Sequence, residues 1–253
     1  MEHACKGATL MRYDALLFDF DGLLMDTEAI HIVAWEVYLK EYGLRATEEQ
    51  LAHGVGMTDA RVAENFKAML GLKPAISKIV SDKADIYYRM LGEADLRPLP
   101  GVVDLLAGGT KAGFALGVCS SSQSREVELG LRRMLEGMSR RGEGNLPADP
   151  RKVFRHICCG DVVEATRRKP EPDLYLLAAK AMGVAPGKCL ALEDSPSGSK
   201  AAVAAGMGCV CALTRYTRNM EFPEGVRKVN SLAEVAADPE RFGLPFSRAS
   251  AVP

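Results

Sequence analysis

The chain has 253 residues, 47% of them hydrophobic and 26% charged, with a formal net charge of -1. That balance belongs to a folded globular protein long enough to bury a core, and it excludes a nucleic-acid partner held by bulk positive charge. No apolar run approaches the roughly 20 residues needed to span a bilayer, so no membrane partner is expected either.

The opening MEHACKGATLMR has no apolar h-region and no Arg/Ser-rich stretch. The expected compartment is the cytoplasm, or a plastid where a presequence has been removed. Residues 13–20, YDALLFDF, then read as a buried strand that ends in Asp19 and Asp21, with Gly22 next. At a strand period of two, both carboxylates point the same way. Buried like charges need an offset, and a cation is the simplest one.

The stretch from about 28 to 96 reads as helices. Ile30, Val33, Ala34, Val37 and Tyr38 recur at helical spacing before Gly43. Thr47 and Gln50 make a capping-box pattern, and TDARVAENFKAMLGL and PAISKIVSDKADIYYRML are two further amphipathic helices. From Pro98, helices and strands alternate. FALGVCSSS, VFRHICCGD, KCLALEDSPSG and CVCAL are the strands, and each gap between them carries a helical pattern. The expected fold class is α/β, with a mainly parallel sheet and a helical insert after the first strand.

Residues 137–151, GMSRRGEGNLPADPR, hold three Arg, three Gly and two Pro without apolar period, and are expected to form an exposed loop. Beyond Phe242 no clear structure is expected. The seven cysteines lie mostly in apolar strand-like runs, an odd count that points to buried thiols rather than a disulfide framework. Cys158 and Cys159 are adjacent on a strand and face opposite ways, so they make a poor metal pair.

In parallel α/β sheets, ligands bind at the carboxyl ends of the strands. There the sequence puts Asp19 with Asp21, Ser120 to Ser122, and Glu193 with Asp194, while Lys169 precedes a helix in RRKPEPD. One aspartate can attack phosphorus, and the other can protonate the leaving oxygen. Ser120, with Ser121 beside it, can hold phosphoryl oxygens. Lys169 can sit between nucleophile and phosphoryl group. Glu193 and Asp194 add oxygen ligands of the kind Mg²⁺ takes. Singly, each piece also reads as ordinary turn, cap or loop chemistry; the four together, in this order at strand ends, do not.

DFDGLLMDTE, VCSSS, KPEPD and LEDSPSG resemble the four motifs of the haloacid dehalogenase superfamily, and the likeness runs from about residue 13 to 235. The resemblance implies a Rossmann-like core with a helical C1 cap inserted after the first strand. The boundaries it suggests are 10–26 plus 97–245 for the core and 27–96 for the cap, with the loop insertion at 137–151 and a tail at 246–253. It also implies an Asp19 nucleophile, an Asp21 general acid/base, and Ser120, Ser121 and Lys169 on the phosphate. Mg²⁺ would be held by Asp19, Asp194 and the Asp21 carbonyl, with Glu193 assisting. The namesake dehalogenases lack the second aspartate, so Asp21 points to phosphate esters.

The C-terminal half, with Thr217 and Arg218 in RYTRNMEF, is similar to CbbY-type sugar-phosphate phosphatases, which include enzymes acting on xylulose 1,5-bisphosphate. His31, Trp35 and Lys83 resemble positions in β-phosphoglucomutases. From the residues alone, His31 reads as a core or surface histidine or as a hinge residue near Asp21. Lys83 reads as a solvated helix charge or a substrate contact, and Trp35 as core. Gly56 and Met57 stand where the mutase pattern has a Ser-Arg pair, so the arginine that would grip a second phosphate is missing. The expectation is a monomeric, Mg²⁺-dependent phosphatase of a small phosphorylated sugar. A sugar phosphomutase and a non-catalytic phosphosugar-binding protein are the alternatives.

Overall fold

The computed structural model describes residues 13–54 and 57–246. Positions 10–12 of the expected core, 247–253 of the expected tail, and His3, Cys5 and Gly56 lie outside the described residues. Six strands form one parallel sheet: β1 (Ala15–Phe18), β2 (Ala115–Cys119), β3 (His156–Cys158), β4 (Cys189–Glu193), β5 (Gly208–Ala212) and β6 (Arg227–Val229), in the order β3-β2-β1-β4-β5-β6. β1 is central, and its alternation divides the core. Leu16 and Phe18 pack into one apolar cluster, while Ala15 and Leu17 pack into the other. Both faces of the sheet are thus buried, as a parallel sheet requires.

Between β1 and β2 the chain makes α1 (Glu28–Glu41), α2 (Glu48–Ala52), α3 (Asp59–Leu70), α4 (Ile76–Glu93) and α5 (Val102–Lys111). The Thr47–Gln50 capping box opens α2 as the sequence predicts, and Thr58 caps α3. The helical insert packs α4 on α1 and α3, and α4 also touches α6 (Ser124–Arg141) in the other part of the chain. The insert is left and re-entered side by side: Met25 bridges Pro98, and Leu99 N–H donates to Leu24 O. The remaining helices are α7 (Pro150–Val153), α8 (Asp173–Met182), α9 (Pro196–Ala204) and α10 (Leu232–Ala237).

Two sequence expectations are corrected. Residues 137–151 are not one exposed loop. α6 continues to Arg141 because its apolar stripe does: Leu131, Met134, Leu135 and Met138 are all buried. The helix stops at Gly142, which takes the left-handed conformation (φ 70°). Arg141 pairs with Asp95 and Glu143, and Asp149 caps α7, so only the stretch between these helices is loop. The chain beyond Phe242 is not structureless either. Leu244 and Phe246 are buried, and the Phe246 ring meets Phe114 edge-on. Gly243 and Pro245 beside these two apolar side chains break up any readable periodicity. The strand β6 was also not anticipated, because three residues carry no readable alternation.

The six described cysteines are free and buried, and Cys158 and Cys159 enter opposite apolar clusters. No helix among the described residues is long and apolar enough to cross a membrane.

Candidate active site

The carboxyl ends of β1, β2 and β4 converge, because these three strands are neighbours in the sheet. Asp19 follows β1 directly, and its N–H donates to Leu192 O of β4. Lys169, in the loop before α8, reaches the same point. Its Nζ donates to Asp19 Oδ1 at 2.5 Å, to Glu193 Oε1 at 2.5 Å and to Cys119 O at 2.7 Å. These three acceptors use the three protons of an ammonium group. The two carboxylates hold the ammonium well above the ordinary lysine range even though burial works against its charge.

Glu193 has no exposed surface. Besides Lys169, its Oε1 accepts from Tyr175 OH at 2.5 Å, and its Oε2 accepts from Asp194 N–H and Ser195 Oγ, each at 3.3 Å. The Tyr175 ring also lies 5.1 Å from Lys169 Nζ. Asp19, Glu193 and Asp194 bring carboxylate oxygens within 4.8 Å of one another. Burial drives Asp19 up to about 7 against the pull of Lys169, and burial with the charge of Asp19 pushes Asp194 well above the carboxylate range.

Three acids around one lysine leave an unbalanced negative cluster, which fits a divalent cation. A second observation supports the fit. Gly22 sits at φ 71°, and a Cβ there would lie 2.5 Å from Asp194 Oδ2, so a side chain would close the space beside that carboxylate. Because both Glu193 oxygens are already bonded, Asp19 and Asp194 are the carboxylates best placed to hold the ion.

Asp21 turns away from this acidic group. Its Oδ1 accepts from Thr27 Oγ1 at 2.6 Å, and its Oδ2 accepts from Ser122 Oγ at 2.6 Å and from Ser120 Oγ at 3.4 Å. Burial raises its carboxyl above the usual range, the Glu126 charge adds to that, and the hydroxyls oppose it. The two aspartates therefore lie in different surroundings, one beside an ammonium and one among hydroxyls.

Ser120 is buried, whereas Ser121 is exposed. Ser122 was not singled out in the sequence, although it makes the shorter bond to Asp21; the run of three serines gave no way to rank them. Tyr175 also went unnoticed, as an apparent member of an apolar helix stripe. Lys83 is not a solvated charge: it has no exposed surface and pairs with Asp59 at 2.8 Å. Trp35 is buried as expected. Thr217 is buried and closes a turn with Thr214.

A family model described as a haloacid dehalogenase-like hydrolase matches residues 13–206. The chain belongs to the haloacid dehalogenase-like hydrolases. Among relatives, protein CbbY of Cereibacter sphaeroides is 32% identical over 230 residues, covering 88% of this chain and 94% of its own. Fructose-1-phosphate phosphatase YqaB of Escherichia coli is 31% identical over 202 residues, 79% of this chain and 96% of its own. A crystal structure of a CbbY variant from Rhodobacter sphaeroides, in complex with xylulose 1,5-bisphosphate, aligns with a TM-score of 0.73 at 30% identity, over 88% of this chain and 96% of that one. This haloacid dehalogenase-like hydrolase is a phosphatase of the CbbY and β-phosphoglucomutase-like branch, with the family's Rossmann-like α/β fold.

Proposed function

We propose that the protein is an Mg²⁺-dependent phosphatase of a small sugar phosphate, with a substrate resembling xylulose 1,5-bisphosphate, working through an aspartyl-phosphate. The observation that carries the reading is the separation of two aspartates by environment. Asp19 is held against Lys169, whereas Asp21 is oriented by hydroxyls and its carboxyl is raised by burial, the direction a proton donor needs.

A carboxylate oxygen of Asp19 attacks phosphorus, and the ester P–O bond breaks. Asp21 passes its proton to the leaving sugar oxygen. The now ionised Asp21 then takes a proton from water, which attacks the aspartyl-phosphate and releases Asp19 and inorganic phosphate. Lys169 neutralises phosphoryl oxygens, and Ser120 and Ser121 offer hydroxyl and backbone donors at the end of β2. Mg²⁺, held by Asp19, Asp194 and the Asp21 carbonyl, would offset the acidic cluster and polarise a phosphoryl oxygen. Residues 27–96 act as the cap over this site, with His31 and Lys83 on its inner side.

The test is phosphate release from a panel of sugar mono- and bisphosphates with Mg²⁺, with products identified by NMR. Free phosphate and a dephosphorylated sugar, lost reversibly on chelation, are expected. Conversion of β-glucose 1-phosphate to glucose 6-phosphate with little release would replace the reading by a mutase. Unchanged rates in chelator would remove the metal from it.

A further inference from the structure

One buried carboxylate joins the helical insert to the sheet-bearing part of the chain, and the reaction above does not use it. Glu126 stands in the first turn of α6, 8% exposed. Its Oε1 accepts from Tyr87 OH at 2.6 Å and lies 3.2 Å from His31 Nε2. His31 stacks on the Tyr87 ring, with centroids 3.9 Å apart and planes 14° from parallel. The other ring nitrogen, Nδ1, is 2.6 Å from Lys83 Nζ, which also donates to Asp59 Oδ1 and Oδ2 at 2.8 and 3.1 Å.

An ammonium group only donates, so Nδ1 accepts from Lys83. The ring proton then sits on Nε2 and is donated to Glu126. His31 is in turn one helical turn from Thr27, to whose O its N–H donates, and Thr27 Oγ1 donates to Oδ1 of the general acid, Asp21. Of the five side chains in this relay, Asp59, Lys83, His31 and Tyr87 lie in the insert, and Glu126 alone lies beyond β2. Removing the Glu126 carboxylate leaves the buried Tyr87 hydroxyl without its acceptor and His31 Nε2 without its partner across the two parts of the chain.

We propose that Glu126 is a positioning residue, which holds His31 as its Nε2–H tautomer and thereby seats α1 and α4 in one register over Asp21. The proposal rests on the reading that Asp21 protonates a sugar leaving group. An activated leaving group such as p-nitrophenolate needs little from a general acid or from a seated cap, whereas a sugar alkoxide needs both.

The experiment compares wild type, Glu126→Gln, Glu126→Ala and Tyr87→Phe on p-nitrophenyl phosphate and on the best sugar phosphate, and records the ring ¹⁵N resonances of His31. Glu126→Ala is expected to lower kcat for the sugar phosphate by on the order of tenfold or more, while p-nitrophenyl phosphate changes by less than about threefold. Glu126→Gln keeps an oxygen that can accept both bonds and should restore most of the difference. Tyr87→Phe, which keeps the stacked ring, should fall between them. If Glu126→Ala does not fold, the last two variants carry the comparison. The wild-type resonances should show the Nε2–H pattern. Parallel losses on both substrates, no loss on either, or an Nδ1–H ring in the wild type would overturn the proposal. A wild type that hydrolyses p-nitrophenyl phosphate but no sugar phosphate would overturn the substrate reading instead, and the His31 resonances would still judge Glu126.

Discussion

Ser122 donates its hydroxyl to Asp21 Oδ2 at 2.6 Å, tying the loop after β2 to the loop after β1. That bond favours the ionised carboxylate and so works against the proton that Asp21 carries in the proposed first step. Ser122→Ala should raise the Asp21 carboxyl further, moving the alkaline limb of kcat/KM to higher pH. Losing a hydrogen bond to a charged group, about 1.5–3 kcal/mol, should also lower the maximum rate by roughly tenfold or more as Asp21 loses its orientation. A pH–rate profile of both proteins checks the direction; an alkaline limb moving down would contradict it.

Asp19→Asn should abolish turnover, by on the order of a thousandfold or more. It should nevertheless not destabilise the fold at neutral pH in chelator. The folded Asp19 carboxyl is pushed from 3.8 to about 7, chiefly by burial. A carboxyl raised in the folded state costs stability progressively as pH climbs from about 4 to about 7, because the unfolded chain ionises first. Asparagine escapes that cost. Thermal denaturation at pH 4 and pH 8 should therefore show the variant gaining on the wild type as pH rises, and Mg²⁺ should narrow the gap.

Tyr175→Phe keeps the ring beside Lys169 and removes only the hydroxyl on Glu193 Oε1. Oε1 then has Lys169 as its only donor, so the ammonium is held more tightly by Glu193 and is less free for phosphate. We expect a loss of about 1–3 kcal/mol in urea denaturation and weaker inhibition by inorganic phosphate. Unchanged phosphate inhibition would confine Tyr175 to packing.

Glu126 should also mark the acid limit of the fold. Burial raises its carboxyl, but the hydrogen bonds from His31 and Tyr87, with the charge of Lys83, outweigh this and leave it below the usual 4.5. A depressed carboxyl adds stability that is present above pH 4.5 and lost as pH falls through the folded value. Wild type should lose stability on acidification in that window more steeply than Glu126→Gln, as followed by circular dichroism in urea at pH 6 and pH 3.5.

The sheet and the acidic site were legible because their signals are local. β1, β2 and β4 are continuous apolar runs that end in polar clusters, and Asp19, Ser120, Glu193 and Asp194 each sit just past such a run. Lys169 was legible from its place just before Pro170 and Pro172, which stiffen the loop. What escaped depends on contacts between distant segments. Tyr175 and Glu126 are indistinguishable from ordinary helix residues until α8 meets β4 and α6 meets α4. Lys83 looked solvated because its partners, Asp59 and His31, lie 24 and 52 positions away. The end of α6 was missed because glycine and arginine at 137–141 masked an apolar stripe that goes on to Met138.

The central position of β1 also bears on how the chain emerges from the ribosome. Ala15 lies between Ala115 and Cys189. The strand that leads into Asp19 therefore has no neighbour until residue 115 has been synthesised, and none on its other side until residue 189. Throughout that interval an apolar ribbon, Ala15–Phe18, is left with open edges, while the helical insert can fold from contacts within itself. The order of synthesis thus completes the helical insert before the sheet, and the first strand waits longest for its partners.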